Sequence, residues 1–213
     1  MSDISFPHAA APARAHPQWK RPLDVTLTLT GLLLIWPLLL ATALAVRLSS
    51  PGPVFFVQTR IGLNGERFGM IKFRSMYVDA EARRAALLAQ SDRDGICFKS
   101  RHDPRITPVG RILRRFSLDE LPQVFNVLKG EMSLVGPRPA LPEEVRAYPP
   151  RALGRLRVLP GITGLWQVSG RADIGFDDMI TLDLAYAADD RLRTDLGILL
   201  RTVFAVIGGK GAY

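Results

Sequence analysis

The longest feature of the hydrophobic pattern is an uncharged apolar run of 22 residues, Val25 to Val46, with Pro37 near its middle. About 20 apolar residues suffice to cross a bilayer as a helix. Lys20 and Arg21 precede the run and Arg47 follows it. A spanning helix keeps its positive flank mainly on the cytoplasmic side. Pro37 has no N–H for the carbonyl of Leu33 and its ring crowds that carbonyl, so a kink is expected. A helix that enters, breaks at Pro37 and returns leaves both basic flanks on one face. Hydroxyls of Thr26, Thr28, Thr30 and Thr42 are available to backbone groups freed at depth. This re-entrant anchor is the expectation. A single span and a cleaved signal ending near Ala43-Leu44-Ala45 are the alternatives, although the run is long for a signal.

Beyond the run the pattern changes period. Ser50-Pro51-Gly52-Pro53 forms a stiff turn. Two β-prone stretches, Val54 to Arg60 and Phe68 to Arg74, flank Asn64-Gly65, a hairpin turn signal. Val78 to Gln90 reads as a helix and Asp92 to Gly95 as a loop. Thr107-Pro108 is a cap followed by proline at the first helical position, which predicts a basic helix to about Phe116. A second helix, capped near Asp119 because Pro122 must lie in the first turn, is expected to reach Leu128 and stop at Gly130. Gly136 to Pro139 reads as a rigid loop. Pro142 opens a helix with Glu143 and Glu144 in its first turn, where they suit the dipole. Pro160 to Gly164 reads as a turn. Leu192, Leu196, Leu199, Val203, Phe204 and Ile207 recur at helical spacing before Gly208-Gly209. Residues 1–18, rich in Ala, Pro and His, read as a disordered tail. The expected organisation is thus tail 1–18, anchor 19–49 and one catalytic-sized domain 50–213. Its class is α+β, mostly helical, with a small β-hairpin and amphipathic interfacial helices.

Composition narrows the chemistry. Twenty-eight Lys and Arg against 20 Asp and Glu give a net charge of +8. Beside an apolar anchor, this suits an anionic bilayer face or a phosphorylated substrate. One cysteine, Cys97, excludes an internal disulfide and fits a reducing compartment. Three histidines, two of them in the leading tail, argue against a His-rich zinc site. A metal would have oxygen ligands, as Mg²⁺ does.

Four clusters carry candidate chemistry. In Ser117-Leu118-Asp119-Glu120-Leu121-Pro122, two adjacent carboxylates follow Arg111, Arg114 and Arg115 at a helix start, where a carboxylate and a phosphate are both favoured. With Mg²⁺ such a carboxylate could attack or position a phosphoryl group. The plain reading is an N-cap Asp119 and a first-turn Glu120. In Gly136-Pro137-Arg138-Pro139 an arginine held between prolines suits bidentate phosphate contact, or is a surface turn residue. In Lys72-Phe73-Arg74-Ser75-Met76, strand alternation would put Lys72 and Arg74 on one face, which is either a binding face or a solvated one. Gly170-Arg171 follows Trp166 and is a fourth basic turn. The six Lys and Arg between Lys99 and Arg115 also raise nucleic-acid binding, but no nucleic-acid module is recognisable.

The motifs together resemble a known family. They are Ser50-Pro-Gly-Pro-Val-Phe-Phe through Gln58 and Arg60, Lys72-Phe-Arg-Ser-Met, Asp103-Pro-Arg-Ile-Thr, and Arg115-Phe-Ser-Leu-Asp-Glu-Leu-Pro-Gln. Gly130-Glu-Met-Ser-Leu-Val-Gly-Pro-Arg-Pro and Pro160-Gly-Ile-Thr-Gly-Leu-Trp-Gln-Val-Ser-Gly-Arg follow in the same order. This is similar to the bacterial sugar transferases, the monotopic phosphoglycosyl transferases, over about residues 20–213. One departure is Trp36 before the break proline, where the family often carries a small polar residue.

The resemblance implies transfer of a sugar-1-phosphate from a UDP-sugar to undecaprenyl phosphate at the cytoplasmic face of the bacterial inner membrane, with Mg²⁺ and release of UMP. It implies Asp119 as a nucleophile forming a phosphosugar intermediate, with Glu120 helping to hold Mg²⁺. Arg114, Arg138 and Arg171 match arginines near the nucleotide phosphates, and Lys72 matches a basic active-site residue. Arg74 joins them as a candidate substrate contact. The expected partners are the UDP-sugar, the polyprenyl phosphate and the bilayer, with a homodimer as an option and no nucleic acid. A sequential transferase in which Asp119 only binds metal, and a lipid-binding protein without catalysis, are the rival readings.

Overall fold

A computed structural model of the chain describes residues 17–80, 82, 103–170, 174–189 and 191–208. All but the start of the helix expected over Val78 to Gln90 lies outside these residues, as do Cys97 and most of the leading tail.

The apolar run forms helix α1, Lys20–Ser49, a helix of 30 residues with Pro37 inside it. It is the one helix among the described residues long and apolar enough to cross a membrane. Its middle is bare: Leu33 and Leu34 are 75% and 73% exposed. Its two ends are both bonded to the rest of the protein. At the first end the Lys20 ammonium donates to the Val135 carbonyl and the Tyr186 hydroxyl and pairs with Asp195 at 2.5 Å. Arg21 donates to the carbonyls of Val127 and Leu128, and Asp24 accepts from the Leu134 N–H at 3.0 Å. At the other end Val46 is buried with Phe73 and Leu113, and Leu39 and Ala43 pack against them.

The expected hairpin forms from β1, Phe55–Ile61, and antiparallel β2, Arg67–Phe73, in the register Phe55↔Phe73 to Ile61↔Arg67. Asn64 (φ 56°) and Gly65 (φ 84°) both take left-handed conformations in the loop, which Asn and Gly reach at least cost. Helix α2, Pro108–Arg115, starts as predicted: the Thr107 side chain accepts from the Gly110 N–H at 2.8 Å.

The next helix differs from expectation. Its cap is Ser117, in a left-handed conformation (φ 55°), and Leu118–Gln123 is a 3₁₀ helix with Asp119 inside it. Helix α3 begins only at Val124 and runs Val124–Lys129, closed by Gly130 at φ 86°. Pro122 accounts for this, because its missing N–H interrupts a regular α ladder and leaves tighter turns before it. Asn126 locks the segment onto the hairpin. Fully buried, it accepts from the Ile71 N–H at 3.0 Å and donates to the Gly69 carbonyl at 2.8 Å and to Glu131 at 2.6 Å.

A second sheet was not expected. Strand β3, Ser133–Val135, pairs in parallel with β4, Gly161–Thr163, where the sequence reads as a turn. Three-residue strands are too short for a period-2 signal. A Cβ on Gly161 would fall 2.0 Å from the Gly136 nitrogen, so glycine is what permits the approach. Helix α4, Pro142–Arg146, and a 3₁₀ segment, Pro150–Arg157, follow β3. Helices α5, Leu165–Ser169, α6, Phe176–Ala188, and α7, Leu192–Gly208, complete the chain. The largest core cluster joins Ile61, Ala140, Val145, Tyr148, Trp166, Met179 and Ile180. The class is therefore mostly helical with two small sheets.

Candidate active site

The hairpin supplies the floor of the site. Residues opposite one another in an antiparallel pair share a face. Phe56, Gln58 and Arg60 therefore lie on the face that carries Lys72, Met70 and Phe68. The 3₁₀ turn sits over this face and brings its carboxylates to it. The Lys72 ammonium pairs with Glu120 at 2.9 Å. Asp119, the preceding residue, is 8% exposed.

The two carboxylates are driven in opposite directions. Burial raises the pKa of Asp119 above the ordinary carboxylate value; the Lys72 charge opposes this, the Glu120 charge adds to it and Arg114 opposes it. Glu120 feels the same burial, but Lys72, Arg138 and Arg60 outweigh it and hold its pKa low. Two carboxylates whose environments separate their proton affinities can take different roles in one site. Here Glu120 is the ionised partner of Lys72. Asp119 holds its proton more tightly, within the charge of Lys72 and Arg114 and out of bulk water.

Of the expected contacts, Lys72 pairs with Glu120, while the charge of Arg114 acts on Asp119 and that of Arg138 on Glu120. Arg74 does not. Its guanidinium donates to the carbonyls of Pro53, Pro51 and Ser50 at 2.7, 2.7 and 2.8 Å. Strand β2 ends at Phe73, so the alternation that would align Arg74 with Lys72 stops one residue short. Arg74 instead staples the Ser50–Pro53 turn to the hairpin and is removed from the substrate contacts. Arg171 lies outside the described residues.

Arg60 is the residue that the sequence argument passed over. It is 4% exposed and donates to the Pro139 carbonyl at 3.1 Å and to Gln58 at 2.7 Å. Burial, and next the Arg138 charge, lower its pKa to about 10. Its signal was present: two residues after Gln58 on a β-prone run, it had to share the Gln58 face.

Among the described residues no three His, Cys, Asp or Glu side chains converge, so no all-protein metal cage exists there. Mg²⁺ rarely uses one, since it keeps several waters and takes one or two carboxylates plus substrate phosphates. The adjacent oxygen donors of Asp119 and Glu120 fit that ion's preference.

The family model described as Bacterial sugar transferase matches residues 15–209. The chain belongs to the bacterial sugar transferase family. Among curated relatives of this transferase, Galactosyl transferase CpsE of Streptococcus agalactiae is 44% identical over 91% of the chain and 43% of its own length. Exopolysaccharide production protein ExoY of Rhizobium meliloti is 39% identical, covering 91% of the chain and 88% of its own length. UDP-glucose:undecaprenyl-phosphate glucose-1-phosphate transferase of Xanthomonas campestris is 42% identical over 89% of the chain and 39% of its own length. The transferase chain thus spans under half of two of these relatives and most of ExoY.

Proposed function

We propose that this sugar transferase moves a sugar-1-phosphate from a UDP-sugar to undecaprenyl phosphate in two steps. The observation that carries the reading is the buried Asp119 beside the Lys72–Glu120 pair, with Arg114 and Arg138 bringing positive charge to it. In the first step an Asp119 carboxylate oxygen attacks the phosphorus that bears the sugar. The bond from that phosphorus to the UMP oxygen breaks, and UMP leaves with the electron pair. In the second step a phosphate oxygen of the lipid attacks the same phosphorus and displaces the carboxylate. No proton or electron has to be supplied from outside. Arg138 and Arg114 bind and neutralise the diphosphate, and Lys72 keeps Glu120 ionised and in place. A Mg²⁺ ion held by Asp119 and Glu120 would withdraw charge from the phosphoryl oxygens.

The anchor is read as re-entrant. Its support is that Lys20 and Arg21 at one end of α1 and Val46 at the other are tied to the same domain, which a straight span would separate by a bilayer. On this reading the site faces the cytoplasm at the inner membrane, the side on which nucleotide sugars are made. In a Cys97→Ser background, Gln18→Cys and Leu48→Cys are both expected to label from the cytoplasmic side only. Labelling from opposite sides would sink the re-entrant reading.

The test of the chemistry is intact mass after incubation with a panel of UDP-sugars and Mg²⁺, without lipid. A gain of one sugar phosphate that vanishes in Asp119→Asn is expected. Transfer to added undecaprenyl phosphate with no adduct would replace it with a sequential mechanism.

A further inference from the structure

The Arg138 loop is held by its carbonyl groups. Four consecutive carbonyls accept hydrogen bonds from four different places. The Pro137 carbonyl accepts from the Gly161 N–H at 2.9 Å, and that of Ala140 from the Ile61 N–H at 2.9 Å. Between them, the Arg138 carbonyl accepts from the Arg155 guanidinium at 3.0 Å and the Pro139 carbonyl from that of Arg60 at 3.1 Å. Prolines 137 and 139 have no N–H to give, so this segment can be secured almost only through its acceptors. Two side chains supply the middle pair, and both are buried, at 3% and 4% exposure.

Burying a guanidinium is expensive unless its donors are matched. Arg155 is matched elaborately: it donates to the Tyr148 hydroxyl at 2.6 Å and pairs with Asp183 of α6 at 2.6 Å. Asp183 is fully buried. Arg60 is matched less completely, since its Nε has no partner among the described residues. The common target of Arg155 and Arg60 is the main chain on either side of the Arg138 Cα, while the Arg138 side chain itself is exposed.

We propose that Arg155 and Arg60 are positioning residues that fix the main chain of Arg138 from two sides and so aim its guanidinium at the donor diphosphate. The proposal rests on the reading of Arg138 as a diphosphate contact. The Asp183–Arg155 pair carries the grip back to α6, and Arg60 carries it to the strand opposite the one that bears Lys72. A residue that has only to fill space in the core would act on stability alone. A positioning residue acts through Arg138 and has no effect on binding once Arg138 is gone.

The experiment is a double-mutant cycle read by the affinity of the full-length protein, in detergent, for UDP, whose diphosphate is common to every candidate donor. Arg155→Lys keeps a cation beside Asp183 but loses the fork. It is expected to weaken UDP binding about 10- to 100-fold, the scale of a misplaced contact, beyond whatever it costs in melting temperature. In an Arg138→Ala background, Arg155→Lys is expected to change UDP affinity less than about twofold. The same cycle with Arg60→Lys is expected to behave alike, and serves if Arg155→Lys fails to fold. Equal losses with and without Arg138, or no loss in either arginine variant, would overturn the positioning role. Absence of UDP binding to the wild type, or no effect of Arg138→Ala alone, would instead overturn the functional reading beneath it.

Discussion

Two lysines of this chain sit in buried charge clusters, and the clusters are built oppositely. The ammonium of Lys20 has three donors and three acceptors within reach: the Val135 carbonyl, the Tyr186 hydroxyl and Asp195. The single O–H of Tyr186 in turn has the same carbonyl and the other oxygen of Asp195 as acceptors, at 2.8 and 2.9 Å. One atom is left over among the described residues, Oδ2 of the neighbouring Asp24. Lys72 pairs with Glu120 through one hydrogen-bonded contact and leaves Asp119 buried without an ion-pair partner among the described residues. A saturated cluster fixes structure, and an unsaturated one holds capacity for a ligand. The cluster of Lys20 fastens α1; that of Lys72 is the one to which the proposed function assigns a phosphate and a cation.

This contrast can be broken from either side. The largest effect is expected at the unsaturated cluster: Asp119→Asn should cut sugar-phosphate transfer by about 10⁴-fold or more while melting temperature is kept or raised. Measured turnover near wild type would remove Asp119 from the chemistry. At the saturated cluster, Lys20→Met strands Asp195 and should cost about 3–5 kcal/mol of stability, read by urea unfolding in detergent. A loss below about 1 kcal/mol would mean that the cluster is not the fastening it resembles.

Lys72→Met is intermediate and tests the electrostatics by its pH profile. Asp119 must be ionised to attack, so activity falls as pH drops through its raised pKa. Lys72 is the strongest influence lowering that value. Its removal should therefore move the acid limb of kcat/KM to higher pH as well as lowering the plateau about 10²-fold. An unmoved limb would separate Lys72 from Asp119. In stability the sign is reversed. A carboxyl with a raised pKa favours the folded state below its ordinary value and loses that contribution as pH rises through the raised one. The smallest effect is expected at Arg74→Lys, which loses carbonyl contacts in the Ser50–Pro53 turn and should cost about 1–3 kcal/mol with donor KM unchanged.

Much of the scaffold was legible. Asn64-Gly65, Thr107-Pro108 and the leucine spacing of the last helix each carry a local rule strong enough to survive packing, and each element formed where the rule put it. The adjacent carboxylates and the arginine between prolines were legible as chemistry for the same reason. What was not legible depends on contacts remote in sequence. What keeps Arg74 from joining Lys72 at Glu120 is the group of carbonyls of Ser50, Pro51 and Pro53 that takes its guanidinium, in a segment more than twenty positions away. Alternation alone put Arg60 on the Gln58 face, but its bond to the Pro139 carbonyl and its charge on Glu120 depend on residues remote in sequence. The β3–β4 pair exists because two glycine-lined segments approach closely, which no short window of sequence records.

The fastening of α1 has a consequence for biosynthesis. Lys20 and its partner Asp195 are separated by 175 positions, so the ribosome delivers the apolar segment long before the residue that secures its first end. The segment must meet the bilayer while that end is still unattached. The Val46 end, whose partners Phe73 and Leu113 emerge much earlier, is fastened first. Closure at Lys20 is then the last fastening made, and a chain interrupted before Asp195 has the first end held only by the bonds of Arg21, Asp24 and Lys20 to residues 127–135, with the Lys20 charge unpaired.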